Sequence, residues 1–508
     1  MPKKGGQENF ANDISDLGET QITQSDDSYL PNDQSPVANT RVFRRRWLML
    51  LIFVLVFMTN AFQWIQFSII NNLITKYYGV ESSTVDWTSL VFMVVYIPFI
   101  IPGAWIMDRL GLRVTVLLGA IGTTSAAIIP GAWIMDRLGL RVTVLLGAIG
   151  TASAAWINAV GVAPDLFYVV LIGQTVASVA QIFLLGVSPN VAAVWFGADQ
   201  VSLACSIGVF GNQIGVALGF LIPPMLVHDH ENLEDIGTDL RFMLYIIAGF
   251  CTALLFAVFF GFQAKPPVPP SGAQCCSAKQ SSGSFSGYFT SLKKIITNHG
   301  FMLLFLSYGI NVGVFYAMST LLNQTVLLHF PGEEKNAGRI GLTIVVCGMF
   351  GSVLFGAILD KTHKFKETTL ATYVCALAGM VAYTFTFQLE YIPVTFLAAG
   401  TAGFFMTGYL PVGFEFGTEL TYPEPEVTSA GLLNASAQIF GIIFTLLGGW
   451  LLATYGSMVC NGLLSAALLI GFVMTFPIRS DLRRQKANRE SMIVVAGGAK
   501  DNPLPVSA

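Results

Sequence analysis

Asn60, Gln63, Trp64, Ser68 and Asn72 lie inside an apolar run from Trp47 to Ile74. That run can span a bilayer, which takes about 20 residues of helix. A span needs only apolar side chains, yet this one sets an indole between amides. Asn60, Trp64, Ser68 and Asn72 recur every four residues, which places them on one helix face. Lipid would reject such a face, so it must meet protein or a water-filled cavity. Two uses fit the pattern. The amides can act as hydrogen-bonding glue between helices, or the face can form the wall of a substrate cavity.

Such residues need helices to position them. Of the 508 residues, 54% are hydrophobic and 11% are charged, against about 25% charged in an ordinary soluble protein. The 50 glycines fit transmembrane helices, where glycine is frequent. The composition predicts an all-α, multi-pass membrane protein whose first partner is the lipid bilayer. A net charge of −3 gives no footprint for nucleic acid. The seven cysteines (205, 251, 275, 276, 347, 375 and 460) show neither metal-ligand spacing nor a disulfide framework, and no metal or other cofactor is expected. Cys275 and Cys276 sit in a polar segment that could be palmitoylated.

Residues 1–40 are rich in Ser, Asp, Asn and Gln and read as a disordered tail. Arg41, Arg44, Arg45 and Arg46 then precede the first span and place the N-terminus in the cytoplasm. Apolar runs follow at 88–107, 114–134, 142–163, 166–188, 201–226 and 241–263. Residues 264–298 form a linker rich in Pro, Ser and Gly. A second set of runs covers 299–323, 337–359, 368–388, 391–415, 429–453 and 459–478. Arg479, Arg483, Arg484, Lys486 and Arg489 mark 479–508 as a second cytoplasmic tail. The acidic segment 227–240 reads as extracellular.

The bundles 41–263 and 299–478 echo each other. Asn311, Phe315, Ser319 and Asn323 repeat the Asn60, Trp64, Ser68, Asn72 pattern at an offset of 251. Asp108-Arg109 and Asp360-Lys361 match at an offset of 252. The offset drops to 226 between Val201-Ser202 and Val427-Thr428 because residues 100–127 recur at 128–155 with one change, Thr124 to Ala152. Counted literally, the chain has 13 spans, an odd number that cannot put both basic tails on one side. One copy is therefore extra. An assembly or gene-model error explains it; a real duplication would have to sit outside the bundle or re-enter without crossing. Twelve expected spans in two six-helix halves are the plan of the major facilitator superfamily.

Asp108, Arg109 and Arg113 form D-R-x-G-x-R after the second span and resemble that superfamily's signature loop; Asp360 and Lys361 are its weaker echo. A carboxylate there can pair with a neighbouring helix end or arginine and latch the cytoplasmic side. The plainer reading is a basic loop that sets topology. NAFQWIQ, SVAQIFLLG (178–186), VWFGADQVS, GNQIGVALGF, PGEEKNAGRIGLT (331–343), GFFMTGYLPVGFEF and NASAQIFGI (434–442) resemble the feline leukaemia virus subgroup C receptor family over about residues 41–490. The tail DLRRQKANRE is most similar to the family's second member.

The resemblance implies transport of choline and, in part, ethanolamine, with haem as an alternative cargo. It places the family's choline-site aromatics on Trp64 and Tyr316, with Phe315 alongside, and its amides on Gln181 and Gln438. The chemistry agrees. A quaternary ammonium keeps its charge, and aromatic faces bind it by cation–π attraction worth about 2 kcal/mol when desolvated. Amides can hold its hydroxyl without fixing a charge in the bilayer. Core packing remains the plainer use for Tyr316 alone. Asn60, Gln63, Asn311 and Glu415 are candidates for the cavity or its gates, and Glu419 for a gate or structural role. The five histidines lie in loops or at span ends, and carboxylates are scarce deep in the spans, which favours uniport over proton coupling. Haem would favour an axial ligand and basic groups for its propionates. A non-transporting receptor or scaffold would need no cavity stripe, and no nucleophile–base set suggests an enzyme. The expected protein is a monomer in the plasma membrane, with mitochondrial or endoplasmic reticulum membrane as alternatives. Asn323-Gln324-Thr325 is a glycosylation sequon at the outer end of the seventh span.

Overall fold

The computed structural model describes residues 43–100, 140–185, 187–197, 200–267, 293–362, 364–389, 391–424 and 426–478. Among them every regular element is helical, and eleven helical segments are long and apolar enough to cross a membrane. A twelfth long helix, Ser82–Ile100, packs with them. The described residues thus supply six long helices before the linker and six after it. Residues 101–139, which hold most of the first repeat copy and the loop of the second, lie outside them.

The first half comprises α1 (Arg46–Ile65), α2 (Asn71–Tyr78), α3 (Ser82–Ile100), α4 (Leu140–Val160), α5 (Phe167–Leu185), α6 (Val187–Trp195), α7 (Val201–Leu221), α8 (Pro223–Leu226) and α9 (Leu233–Gly261). The second half comprises α10 (His299–Thr320), α11 (Leu322–His329), α12 (Glu334–Thr362), α13 (Phe365–Thr386), α14 (Ile392–Thr421), α15 (Glu426–Tyr455) and α16 (Ser457–Thr475).

Local chemistry sets several ends. The Asn232 side chain accepts the Glu234 N–H at 3.2 Å, and Glu234 and Asp235 occupy the first turn of α9. A cap and two carboxylates favour a helix N-terminus. So α9 begins at Leu233, eight residues before the apolar run at 241, and the acidic segment supplies its first turns. Asn298 caps α10 by accepting the Phe301 N–H at 3.2 Å. Gly79 ends α2 at φ +65°, a left-handed conformation that favours glycine.

The two halves pack alike. α1 lies along α7, and α10 lies along α15; α3 packs on α5, and α12 packs on α14. Between the halves, α3 meets α15 and α7 meets α12. These contacts bring α1 and α10, which carry the repeated polar stripes, to the middle of the molecule.

Candidate functional site

The run from Trp47 to Ile74 is not one straight helix. α1 stops at Ile65, a short 3₁₀ turn covers Ser68–Ile70, and α2 resumes at Asn71. No proline or glycine marks the break. Ser89 of α3 stabilises it: its hydroxyl donates to the Trp64 carbonyl at 2.8 Å and lies 2.5 Å from the Ser68 hydroxyl. A carbonyl released at a helix end needs such a partner. The four-residue stripe is therefore split, and its members meet different neighbours.

Trp64 reaches across to the second half. Its ring centroid is 5.5 Å from that of Tyr316 on α10, with the planes at 73°. Edge-to-face pairs favour this geometry. Trp64 is 8% exposed, Tyr316 is half-buried, and Phe315 stands 6.2 Å from the Tyr316 ring. At Gly441 of α15 a Cβ would fall 2.9 Å from the Met93 Sδ and 3.1 Å from the Tyr316 Cδ2, so this position admits only glycine without a shift. Gln438 is half-buried three residues earlier on α15, on the same side of the helix. Gln181 is half-buried on α5, and its neighbour Ile182 packs against Val95 and Tyr96 of α3, the helix that also carries Met93. Rings from α1 and α10 thus meet beside α3 and α15, while Gln181 sits on α5, which packs on α3. Met93 and Tyr96 escaped sequence reasoning because a Met or Tyr in an apolar run looks like ordinary core.

At the α2 end, polar groups join the halves. Asn72 donates its backbone N–H to the Asn323 side-chain oxygen at 3.3 Å and its amide to Glu334 at 3.1 Å. Asn323 donates to the Ile69 carbonyl at 2.8 Å, and Gln324 donates to Asp86 at 2.8 Å. Asp86 is 4% exposed and also accepts from the Asn71 amide at 3.1 Å. Asp86 was missed because it lies before the apolar run that starts at 88. Asn323 is 1% exposed with its amide committed, so the sequon residue has a structural use. A surface cavity of about 290 Å³ at the linker end is lined by Lys294, Asn298, Tyr422 and Glu424, none of them a site candidate.

The family model for the Major Facilitator Superfamily matches residues 123–394. The choline/ethanolamine transporter flvcr2a of Danio rerio is 49% identical over 92% of this chain and 93% of its own. The choline/ethanolamine transporter FLVCR2 of Homo sapiens is 46% identical over 91% and 82%. FLVCR1 of Felis catus, also described as a choline/ethanolamine transporter, is 45% identical over 89% and 76%. The chain belongs to the feline leukaemia virus subgroup C receptor family of the major facilitator superfamily.

Solved structures carry the same superfamily fold. A bacterial homologue of the human lysosomal transporter Spinster matches with a TM-score of 0.60 at 14% identity, covering 86% of this chain and 95% of its own. A D-xylose–proton symporter matches at 0.59 and 13%, covering 86% and 98%. The chain is a multi-pass membrane protein of a transporter family, not an enzyme.

Other residues of this family member take up different places. Asn60 is fully buried within the first half and donates to the Thr151 hydroxyl at 3.3 Å and the Ala177 carbonyl at 2.9 Å. Gln63 donates to the Thr151 carbonyl at 3.1 Å and lies 3.7 Å from the Cys251 sulfur. Both donate within the first half and so tie α1 to it, while the Asn60 Oδ1 and Gln63 Oε1 are buried without a partner. Asn311 is fully buried on α10, and neither end of its amide has a partner. Glu415 is exposed on α14, and Glu419 is buried one turn later. Asp360 and Lys361 fall in the last turn of α12, where Lys361 is exposed. Asp108, Arg109 and Arg113 lie outside the described residues.

Proposed function

We propose that this protein moves choline, and ethanolamine less strongly, across a membrane by facilitated uniport with alternating access. The observation that carries this reading is the meeting of Trp64 and Tyr316 from opposite halves at 5.5 Å. A quaternary ammonium entering between them would gain a ring face from each half, and cation–π attraction acts within about 6 Å of a ring centroid. Gln181 and Gln438 would hold the hydroxyl, and Met93 would add a soft apolar wall. Choline and ethanolamine differ in three methyl groups, so ethanolamine would gain less from the rings. The relatives named choline/ethanolamine transporters support the same cargo.

Each half then supplies one face, so cargo draws the halves together at the site while one end opens. The Asn72, Asp86, Asn323, Gln324 and Glu334 contacts would form the outer gate, closed in this conformation. The Asp108 and Asp360 loops would latch the cytoplasmic end. Both tails would be cytoplasmic, in a monomer at the plasma membrane. Haem fits the site less well, since rings and amides offer its propionates no cation.

Radiolabelled choline uptake at several concentrations, in cells matched for surface expression, tests this. Trp64→Ala and Tyr316→Ala should each raise half-saturation ten-fold or more, and collapsing the proton gradient should leave wild-type uptake intact. Wild-type half-saturation and rate in both variants would remove the site assignment. Loss of uptake on collapsing the gradient would instead replace uniport with proton coupling, for which the buried Asp86 is the natural carrier.

A further inference from the structure

The short segment between α8 and α9 holds His228 and His230 one residue apart, beside Asp239 of α9. The His228 Nδ1 lies 3.4 Å and the His230 Nε2 3.0 Å from the Asp239 Oδ2, and one donor atom from each residue falls within 4.8 Å of the other two. We propose that these three side chains form a binding site for a divalent transition-metal ion such as Zn²⁺.

The geometry sets the class of ion. Zinc bonds to imidazole nitrogen and carboxylate oxygen are about 2.0–2.2 Å. A tetrahedron of that size has edges of about 3.3 Å, close to both His–Asp separations. An ion placed among the three donors would replace the single His230–Asp239 side-chain hydrogen bond with three coordinate bonds. Two imidazoles and one carboxylate suit Zn²⁺, Ni²⁺ or Cu²⁺; Ca²⁺ and Mg²⁺ ask for oxygen shells. His228 and His230 are 45% and 39% exposed at the side chain, so an ion can reach them and a fourth position is left for water.

The surroundings favour a cation and hold the donors in place. Asp229 and Glu231 lie in the segment itself and Glu234 and Asp235 in the first turn of α9, with Lys76 paired to Asp229 and Arg241 two residues after Asp239. The Lys76 ammonium donates to Asp229 at 2.6 Å and to the His230 carbonyl at 2.7 Å, which ties the segment to the end of α2. The Asp239 Oδ2 accepts the His228 backbone N–H at 3.1 Å, so the carboxylate that would bind the ion already has a fixed orientation. The competing reading is that the triad is only a hydrogen-bonded brace for the loop.

The test uses the full chain, purified in detergent without a polyhistidine tag and stripped with chelator. Zn²⁺ titrated against a fluorescent zinc chelator should show one site per chain with Kd below about 100 μM, and a 100-fold excess of Ca²⁺ should not compete. His230→Gln and His228→Gln should each weaken binding ten-fold or more. Zn²⁺ should raise the unfolding temperature of the wild type and not of the variants, because a ligand stabilises only the state that binds it. Wild-type uptake by the variants in chelator-treated medium would show that they fold. A readout free of variants is carbethoxylation of His228 and His230, mapped by mass spectrometry, which Zn²⁺ should suppress. Wild-type Kd above about 100 μM, equal competition by Ca²⁺, unaltered binding in both variants, or unprotected histidines would each overturn the proposal.

Discussion

The two polar stripes match residue for residue at 251 apart, yet they meet different surroundings. In the first half, Asn60 donates to Thr151 and Ala177, and Ser68 pairs with Ser89. In the second, the Asn311 amide and the Ser319 hydroxyl are buried with no partner. At the last position the stripes join, because Asn72 donates its N–H to Asn323, its own counterpart. The aromatic pair breaks the symmetry: Trp64 faces Tyr316, the residue after its counterpart Phe315. The repeat thus provides a shared frame, and each half spends it differently. Each polar residue of the first stripe has at least one hydrogen bond, although the Asn60 and Asn72 side-chain oxygens are buried without one. In the second, Asn323 is bonded and Asn311 and Ser319 have none. Unpaired polar groups are costly in a membrane interior unless another conformation or a cargo uses them.

The sharpest way to break that contrast is at the rings. Trp64→Ala should lose about 1–2 kcal/mol or more of choline affinity, roughly ten-fold or greater. Trp64→Phe should keep part of it, since a ring face survives. Phe315→Ala should change half-saturation less than Trp64→Ala, because its counterpart role has passed to Tyr316. Uptake curves at matched expression check all three, and an equal loss in Phe315→Ala would restore the symmetric reading.

The joined ends come next. Asn323→Ala removes two hydrogen bonds between the halves. At about 1 kcal/mol each, that should shift the balance roughly ten-fold or more toward a state open at the α2 end. Reactivity of a cysteine placed beneath this gate, read with a membrane-impermeant thiol reagent, measures the shift. Unchanged reactivity would mean the gate bonds do not hold the closed state.

A smaller effect separates Asn60 from Asn311. Asn60→Ala should cost about 0.6 kcal/mol per lost interhelical bond. Asn311→Ala loses no bond and should hold or raise the unfolding temperature of the purified protein. A larger fall for Asn311→Ala would show that its amide does have a partner.

The smallest effect expected is none. The first half carries the extra 28 residues, and the two copies differ only at Thr124 and Ala152. Removing 128–155 should therefore preserve surface expression and choline uptake, since the remaining copy supplies nearly the same helix as α4. Loss of uptake on that deletion, with the full chain active, would make the repeat a working part.

Much of this was legible in the chain. The linker and the repeated motifs pointed to two sets of six long helices, and a tryptophan among amides marked α1. The break after Ile65 was not legible, because Ser89 from another helix makes it and no breaker residue signals it. The hydrogen-bonded joint between the halves was also hidden. Asn72, Asp86, Asn323, Gln324 and Glu334 acquire their roles only when the halves meet. The neighbours of Asn60 and Gln63 in the first half were not legible either, because the periodicity of α1 cannot say which neighbour each face will find. The two histidines at 228 and 230 looked like loop residues until folding set Asp239 beside them.

A double-mutant cycle on Trp64 and Tyr316, read as choline affinity, tests the central claim most directly. If both rings grip one cation, the two losses should not add, and Trp64→Ala with Tyr316→Ala should show a coupling above about 0.5 kcal/mol. Losses that add within about 0.5 kcal/mol, or no loss in either variant, would contradict a cation held between the two halves.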